Sequence, residues 1–317
     1  MDTTLDVTSL SSGTPVYKWT IEKKIALGDF SHIYACSGSS SMSSYKQFAL
    51  KCESAQSPMQ MLKLEAYILQ KISKRNSRHF CDVEDIGKFQ GIHYIVMHLV
   101  GRALVDYMKA SPSGVITVNC ALSVGIQMFE ALEDLHNYGY IHRDMKPSNI
   151  CFGRKDRNEL GKMFLLSFGI SRRYVDSKNQ PRKPREQVEF RGTVRYASMN
   201  CHQLQELCRK DDLESTLYVL VEMITGQLPW KGQPDVVTVA RIKQQCRYPP
   251  SIHQFLRGAC PMEELREVMT LIDSYSYYST PDYNQIYSIL RRAIRRNSQP
   301  EHPYDWEQGG MIVLGDF

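Results

Sequence analysis

The stretch Ile141-His142-Arg143-Asp144-Met145-Lys146-Pro147-Ser148-Asn149 places a carboxylate, an ammonium and a carboxamide at fixed offsets in one short segment. That trio suits phosphoryl transfer, where the protein's work is positioning and charge stabilisation. Asp144 can orient a hydroxyl nucleophile and accept its proton, Lys146 can neutralise charge on the moving phosphoryl group, and the carboxamide of Asn149 can hold a magnesium ion. The competing reading is a polar surface loop. The order and spacing of all three groups, together with the flanking chain, weigh against it.

The pattern H-R-D-x-K-P-x-N resembles the catalytic loop of protein kinases, and the Lys-Pro after Asp144 resembles the serine/threonine branch. The resemblance implies an α+β, bilobal protein-kinase fold with a small β-rich N-lobe, a larger α-helical C-lobe, and ATP in the cleft between them. On that reading residues 1–16 are a flexible N-terminal tail. The kinase domain spans 17–300, with its N-lobe at 17–97, a hinge at 98–101 and its C-lobe at 102–300. Residues 301–317 form a C-terminal tail.

Working outward, Ala26-Leu27-Gly28-Asp29-Phe30-Ser31-His32-Ile33 occupies the place of a glycine-rich phosphate loop between two strands. Gly28 is the middle glycine, while Ala26 and Ser31 replace the outer two. Alanine resists positive φ, so the fit to phosphates is looser. Phe48-Ala49-Leu50-Lys51 is an apolar strand ending in a lysine, which by resemblance grips the α- and β-phosphates. Residues 59–73 carry apolar side chains at helical spacing (Met61, Leu64, Ile68, Leu69, Ile72), with Glu65 inside that face. A charge there is costly unless paired, and pairing with Lys51 matches the kinase ion pair. Residues 92–99 form another apolar strand. By resemblance Met97 is the gatekeeper, and His98 and Val100 offer backbone groups to adenine. Ala26, Gly28, Ile33, Ala49, Lys51, Glu65, Met97, His98 and Val100 are thus the expected nucleotide-binding set. Residues 121–137 read as an amphipathic helix leading into the catalytic loop, and 164–166 as a buried strand leading to Ser167-Phe168-Gly169.

That last triplet departs from the Asp-Phe-Gly motif. Ser167 and Asn149 are the expected metal positions, with Ser167 a degenerate one. Two functions therefore stay open: a serine/threonine protein kinase with ATP, doubtful Mg2+ binding and impaired catalysis, or an inactive pseudokinase serving as a binding module.

Between 172 and 195 lie eight Arg and Lys residues against three acids. This is either a solvated loop or a cradle for acidic or phosphorylated protein segments. Gly192-Thr193-Val194-Arg195-Tyr196-Ala197-Ser198-Met199-Asn200 resembles the casein kinase 1 superfamily, in which Arg195 occupies an anion-binding position. Asp212, in Asp211-Asp212-Leu213-Glu214-Ser215, matches the buried Asp that caps the catalytic-loop backbone, or is a plain helix N-cap. Thr280-Pro281-Asp282-Tyr283, opening a last helix, and Tyr304-Asp305-Trp306-Glu307 resemble the tau-tubulin kinase-like branch.

Composition sets limits on the alternatives. Over 317 residues, 42% hydrophobic and 23% charged content are those of a soluble globular chain. A net charge of +5 without zinc-ligand spacing or a basic repeat gives no reason to expect nucleic acid. The longest apolar run, 217–224, is too short for a bilayer and contains Glu222. Nine scattered cysteines without Cys-x-x-Cys suit a reducing compartment. The expectation is a monomer of the cytoplasm, with the nucleus as a second location, acting on protein partners and without a membrane.

Overall fold

The computed structural model describes residues 5–28, 31–38, 47–73, 77–307 and 309–314. Asp29 and Phe30 of the phosphate-loop stretch, residues 1–4, and residues 308 and 315–317 of the terminal segments lie outside them. The chain divides into two compact units, the first holding residues up to Gly101 together with Leu166–Gly169, the second holding most of the rest. One unit is β-rich and the other helical, as the α+β expectation requires.

The first unit is an antiparallel sheet of β1 (Pro15–Val16), β2 (Trp19–Leu27), β3 (His32–Gly38), β4 (Phe48–Ser54), β5 (Val83–Phe89) and β6 (Ile92–His98), in the order β1-β2-β3-β4-β6-β5. Helix α1 (Met61–Ser73) packs against β5 and β6. Strand β4 is buried along nearly its whole length, because both faces of the sheet are covered. On one face Tyr34, Leu50, Cys52, Tyr94 and Val96 form a core with Trp19 and Ile21.

What covers that face corrects an expectation. The described part of the supposed N-terminal tail is packed: Leu5, Val7 and Leu10 join this core. The Tyr34 hydroxyl donates to Val7 O at 2.8 Å, and Leu5 N donates to Gln90 O at 2.9 Å. An apolar sheet face left in water would forfeit the burial energy of its side chains, about 1.5–3 kcal/mol for each large one. A short segment with three well-placed apolar residues removes that cost.

The second unit runs through α2 (Leu104–Ala110), α3 (Val118–Asn137), β7 (Tyr140–Ile141), β8 (Ile150–Phe152), β9 (Met163–Leu165) and β10 (Arg172–Arg173). It continues with α4 (Met199–His202), α5 (Arg209–Thr225), α6 (Val236–Gln245), α7 (Ser251–Phe255), α8 (Met262–Ser274) and α9 (Tyr283–Arg296). Strand β7 pairs with β10 and β8 with β9. Leu122, Ile126, Phe129, Leu132 and Leu135, which fall on one side of α3, are buried, yet so are most others along it. Helix α3 is therefore central, packed by α5 and α9. A Cβ at Gly125 would lie 3.2 Å from the Leu220 side chain, so glycine lets α3 and α5 close together.

The C-terminal segment is likewise no loose tail over its described residues. Asp305 accepts from Thr117 N at 2.7 Å and from the Thr117 hydroxyl at 2.6 Å, closing the N-terminus of α3. Trp306 stacks on Tyr107 at 4.4 Å and donates its indole N–H to Leu160 O. Tyr304 and Ile312 are buried as well. Among the described residues no helix is long and apolar enough to cross a membrane.

Candidate active site

Strand register assembles the first unit's share. Ala26 pairs with Ile33, Ile33 with Lys51, and Ala49 with Met97. Side chains directly opposite in a ladder share a face, as do positions two apart on one strand. Ala26, Ile33, Ala49, Lys51 and Met97 therefore lie on one face of the sheet, opposite the core described above. Ala26 lies in β2 just past a register irregularity after Lys24, with φ outside the left-handed region, so an alanine there carries no positive-φ strain. Gly28 N donates to Ser31 O at 2.8 Å, and a Cβ on Gly28 would meet the Ser31 hydroxyl at 2.9 Å, so a side chain there would have to turn that hydroxyl aside. The His98 N–H donates to Asp82 O at 3.0 Å, and Val100 is buried just past the end of β6.

Lys51 donates to both carboxylate oxygens of Glu65, at 2.8 and 2.7 Å, with both side chains almost wholly buried. The charge on the apolar face of α1 is thus paired. Helix α1 has no acidic residue in its first turn. Instead Glu53, two residues beyond Lys51 on β4, accepts from Leu62 N at 3.1 Å and ties helix to strand.

Ser167 has φ 69, in the left-handed region, where Asp and Asn are at home and serine is less so. Phe168 is fully buried against Phe80, ring centroids 5.6 Å apart. A Cβ on Gly169 would lie 2.9 Å from Met61 Cβ. The packing parts of this triplet are intact, and only its first side chain differs from the kinase motif.

In the second unit the quoted stretch forms a loop between β7 and β8. Arg143 also has positive φ, 69, and the loop is held there from beneath. The amides of His142 and Arg143 donate to the two oxygens of Asp212 at 2.7 and 2.8 Å, and His136 Nε2 lies 2.9 Å from the same carboxylate. Asp212 therefore caps the catalytic-loop backbone rather than its own helix, which is capped through Asp211. Burial works to raise the pKa of Asp212, but the His136 bond and the backbone amides outweigh it and hold it below the usual range. Burial pushes His136 down, toward the neutral imidazole. The network then assigns a proton to Nε2, with Nδ1 accepting from the Tyr283 hydroxyl.

Asp144 sits on this platform. Its Oδ2 is 2.8 Å from Lys146 Nζ, and its Oδ1 accepts from the Thr193 hydroxyl at 2.7 Å. The Asn149 carboxamide nitrogen donates to Asp144 O at 2.9 Å and reaches Oδ2 at 3.2 Å, which leaves the carboxamide oxygen as the atom with metal-binding capacity. Gly192, with φ 121, lets residues 191–193 pass close by, since a Cβ there would lie 2.6 Å from Arg143 O. The arrangement can hold a hydroxyl-bearing acceptor against a carboxylate base beside a cation.

The protein kinase domain family matches residues 19–278. The chain belongs to that family. It is 32% identical over 291 residues to a Dictyostelium discoideum protein described as a probable serine/threonine-protein kinase, covering 92% of this chain and 56% of that one. It is 28% identical over 311 residues to the serine/threonine-protein kinase spe-6 of Caenorhabditis elegans (95% and 80% covered). It is also 26% identical over 303 residues to a C. elegans protein described as a putative casein kinase I (94% and 85%). The chain thus spans little more than half of the Dictyostelium relative. A kinase domain implies ATP use, usually with Mg2+, and protein substrates.

The kinase's basic segment is committed internally more than the sequence suggests. Arg172 and Arg185 both pair with the buried Glu206. Arg182 donates to Val175 O, and Arg173 to Asp176 O. Burial, then the neighbouring charges of Arg172 and Arg185, lower the Arg143 pKa to about 10. Arg195 stays exposed, with its guanidinium 3.4 Å from Glu222. Thr193 was legible only as part of a family signature. Its contact with Asp144 spans 49 positions and has no local signal.

Proposed function

We propose that this kinase transfers the γ-phosphoryl of ATP to serine or threonine hydroxyls of proteins, slowly, because Ser167 stands where a magnesium-binding Asp is expected. The observation that carries it is the threefold set of contacts on Asp144 from Lys146, Thr193 and Asn149. ATP supplies the phosphoryl group. Asp144 orients the acceptor hydroxyl and takes its proton, Lys146 offsets charge on that group, and Lys51, braced by Glu65, serves the phosphates. Magnesium prefers carboxylate oxygens. Asn149 and Ser167 offer neutral ones, and no cluster of three His, Cys, Asp or Glu residues suited to a metal exists among the described residues.

The finer reading is a casein kinase 1-like enzyme of the tau-tubulin kinase-like branch, resting on the Gly192–Asn200 signature and on Tyr304 to Glu307. Acidic or phosphorylated segments are the favoured substrates, since Arg195 is exposed and only loosely paired. We place it as a monomer in the cytoplasm, with the nucleus as a second compartment, without nucleic-acid or membrane partners. The second reading, a pseudokinase, is favoured by Ser167 alone.

Single-turnover transfer to an acidic protein substrate, with and without Mg2+, separates the two. Slow, metal-dependent transfer that Asp144→Asn abolishes supports the first. Nucleotide binding with no transfer in wild type supports the second; failure in Ser167→Asp as well would place the defect elsewhere than at Ser167.

A further inference from the structure

Lys243 on α6 has no solvent exposure at all. Its ammonium has three N–H groups and meets three acceptors: Val194 O at 2.9 Å, Ala197 O at 2.6 Å and His202 Nε2 at 3.1 Å. Tyr218 and Trp230 close over it, with ring centroids 4.9 and 5.2 Å from Nζ. The neighbouring carboxylate, Glu214, is taken up by Arg247, Tyr218 and Met199 N. The carbonyl between the two Lys243 acceptors, Arg195 O, accepts from the Trp230 indole at 2.7 Å. Residues 194–197 are thus held from below by three donors, and this is the segment that follows Thr193, the hydroxyl on Asp144.

We propose that Lys243 is a positioning residue of the acceptor side, a buried ammonium that sets the 193–197 segment and, through it, Thr193 and Arg195. The proposal rests on the phosphoryl-transfer reading for its consequence, but not for its geometry. Stability is a poor explanation for such a group. Burying an ammonium with no bonded carboxylate costs free energy that its hydrogen bonds must first offset. Burial lowers the Lys243 pKa to about 7. The folded value lies below the ordinary one, so the charged form opposes folding, and stability from this group rises as pH climbs from about 7 toward 10.5. A neutral amine has two N–H groups for three acceptors, so the hold on the segment weakens over the range in which the fold gains.

The test is Lys243→Met in the full chain, methionine being unbranched and of similar length. The expected result is a folded protein with a modestly lowered melting temperature, because Val194 O and Ala197 O lose their donor. The amides of Tyr196 and Ala197, both bonded to Thr193 O, should exchange at least tenfold faster. KM for an acidic peptide should rise about tenfold, with KM for ATP unchanged. A folded variant with unaltered exchange at those two amides overturns the proposal.

Should the variant not fold, the wild type decides. Corrected for intrinsic rate, protection of the two amides should fall between pH 6 and pH 9, and a flat profile overturns the proposal. The same profile is taken in Asp211→Asn, because burial raises Asp211, beside Ser198, to about 7, inside that window; a fall seen in both proteins belongs to Lys243. Burial puts His202 at about 4, raises Cys201, and holds Tyr218 well above 10. Burial pulls Arg247 down, but Tyr218 and Glu214 outweigh it and hold Arg247 above its ordinary value. If no ATP-dependent transfer is found yet the amides respond, the phosphoryl-transfer reading fails and the positioning role stands.

Discussion

Asp144 receives Lys146, Thr193 and Asn149, and the loop that carries it is tied through two amides to Asp212, itself tied to His136. Around Ser167 the position is different. Phe168 and Gly169 pack as closely as any core residues, yet the side chain of Ser167 offers a hydroxyl where the chemistry wants a carboxylate. The two regions teach that packing and metal ligation use different atoms of one motif. The phenyl ring and the bare glycine serve the fold, and on the function proposed above the first side chain is the one that would meet the ion. One can be lost without the other, whereas in the acceptor loop the residues that do chemistry also hold one another in place.

The largest effect should follow from removing the centre of the redundant region. Asp212→Ala leaves two loop amides and a buried imidazole without their acceptor, and should cost about 3–5 kcal/mol in urea denaturation. A loss below about 1 kcal/mol would mean the loop holds itself. Next comes the depleted region. Ser167→Asp should raise single-turnover transfer on the order of a thousandfold, since metal polarisation is worth several kcal/mol and each 1.36 kcal/mol is tenfold. The backbone at φ 69 already suits an aspartate. The gain should require magnesium or manganese and vanish when combined with Asp144→Asn. A wild type as fast as the variant would show that another ligand holds the metal.

Lys51→Met should abolish the rise in melting temperature, normally a few degrees, that saturating ATP produces. An unchanged rise removes Lys51 from the nucleotide site. A smaller effect separates two adjacent buried aspartates. Asp211 has its pKa raised to about 7 by burial, while Asp212 is held below the usual range. One Asp211 oxygen accepts from Cys208 N and the other has no partner among the described residues. The folded value of Asp211 exceeds the unfolded one, so its contribution is greatest at low pH and is lost as pH rises from about 4 to about 7. The melting temperature of wild type relative to Asp211→Asn should decline over that window. A constant difference would mean that Asp211 is ionised throughout. The smallest effect concerns Arg195: an acidic peptide should bind severalfold tighter than its neutralised twin at low salt, and the gap should narrow at high salt. Equal affinities would remove Arg195 as an anion site.

The groups that can perform phosphoryl transfer were readable in the chain. Asp144, Lys146 and Asn149 lie within six residues of one another, and Glu65 declares itself as a charge on an apolar helical stripe that needs a partner. Spacing and periodicity are local properties, and they report whatever local geometry decides. The helices from 61, 118 and 283 and the strands around Lys51 and Met97 followed for the same reason. The roles of residues 5–16 and 304–306, read as tails, depended on distant surfaces: a sheet face that needed covering, and a helix end at Thr117 waiting for a carboxylate 188 positions away. The contact of Thr193 with Asp144 and the enclosure of Lys243 by Tyr218 and Trp230 belong to the same class. A threonine after glycine and a lysine on a polar helix carry no mark of what they will face, because that is settled by which elements pack together and not by their neighbours in the chain.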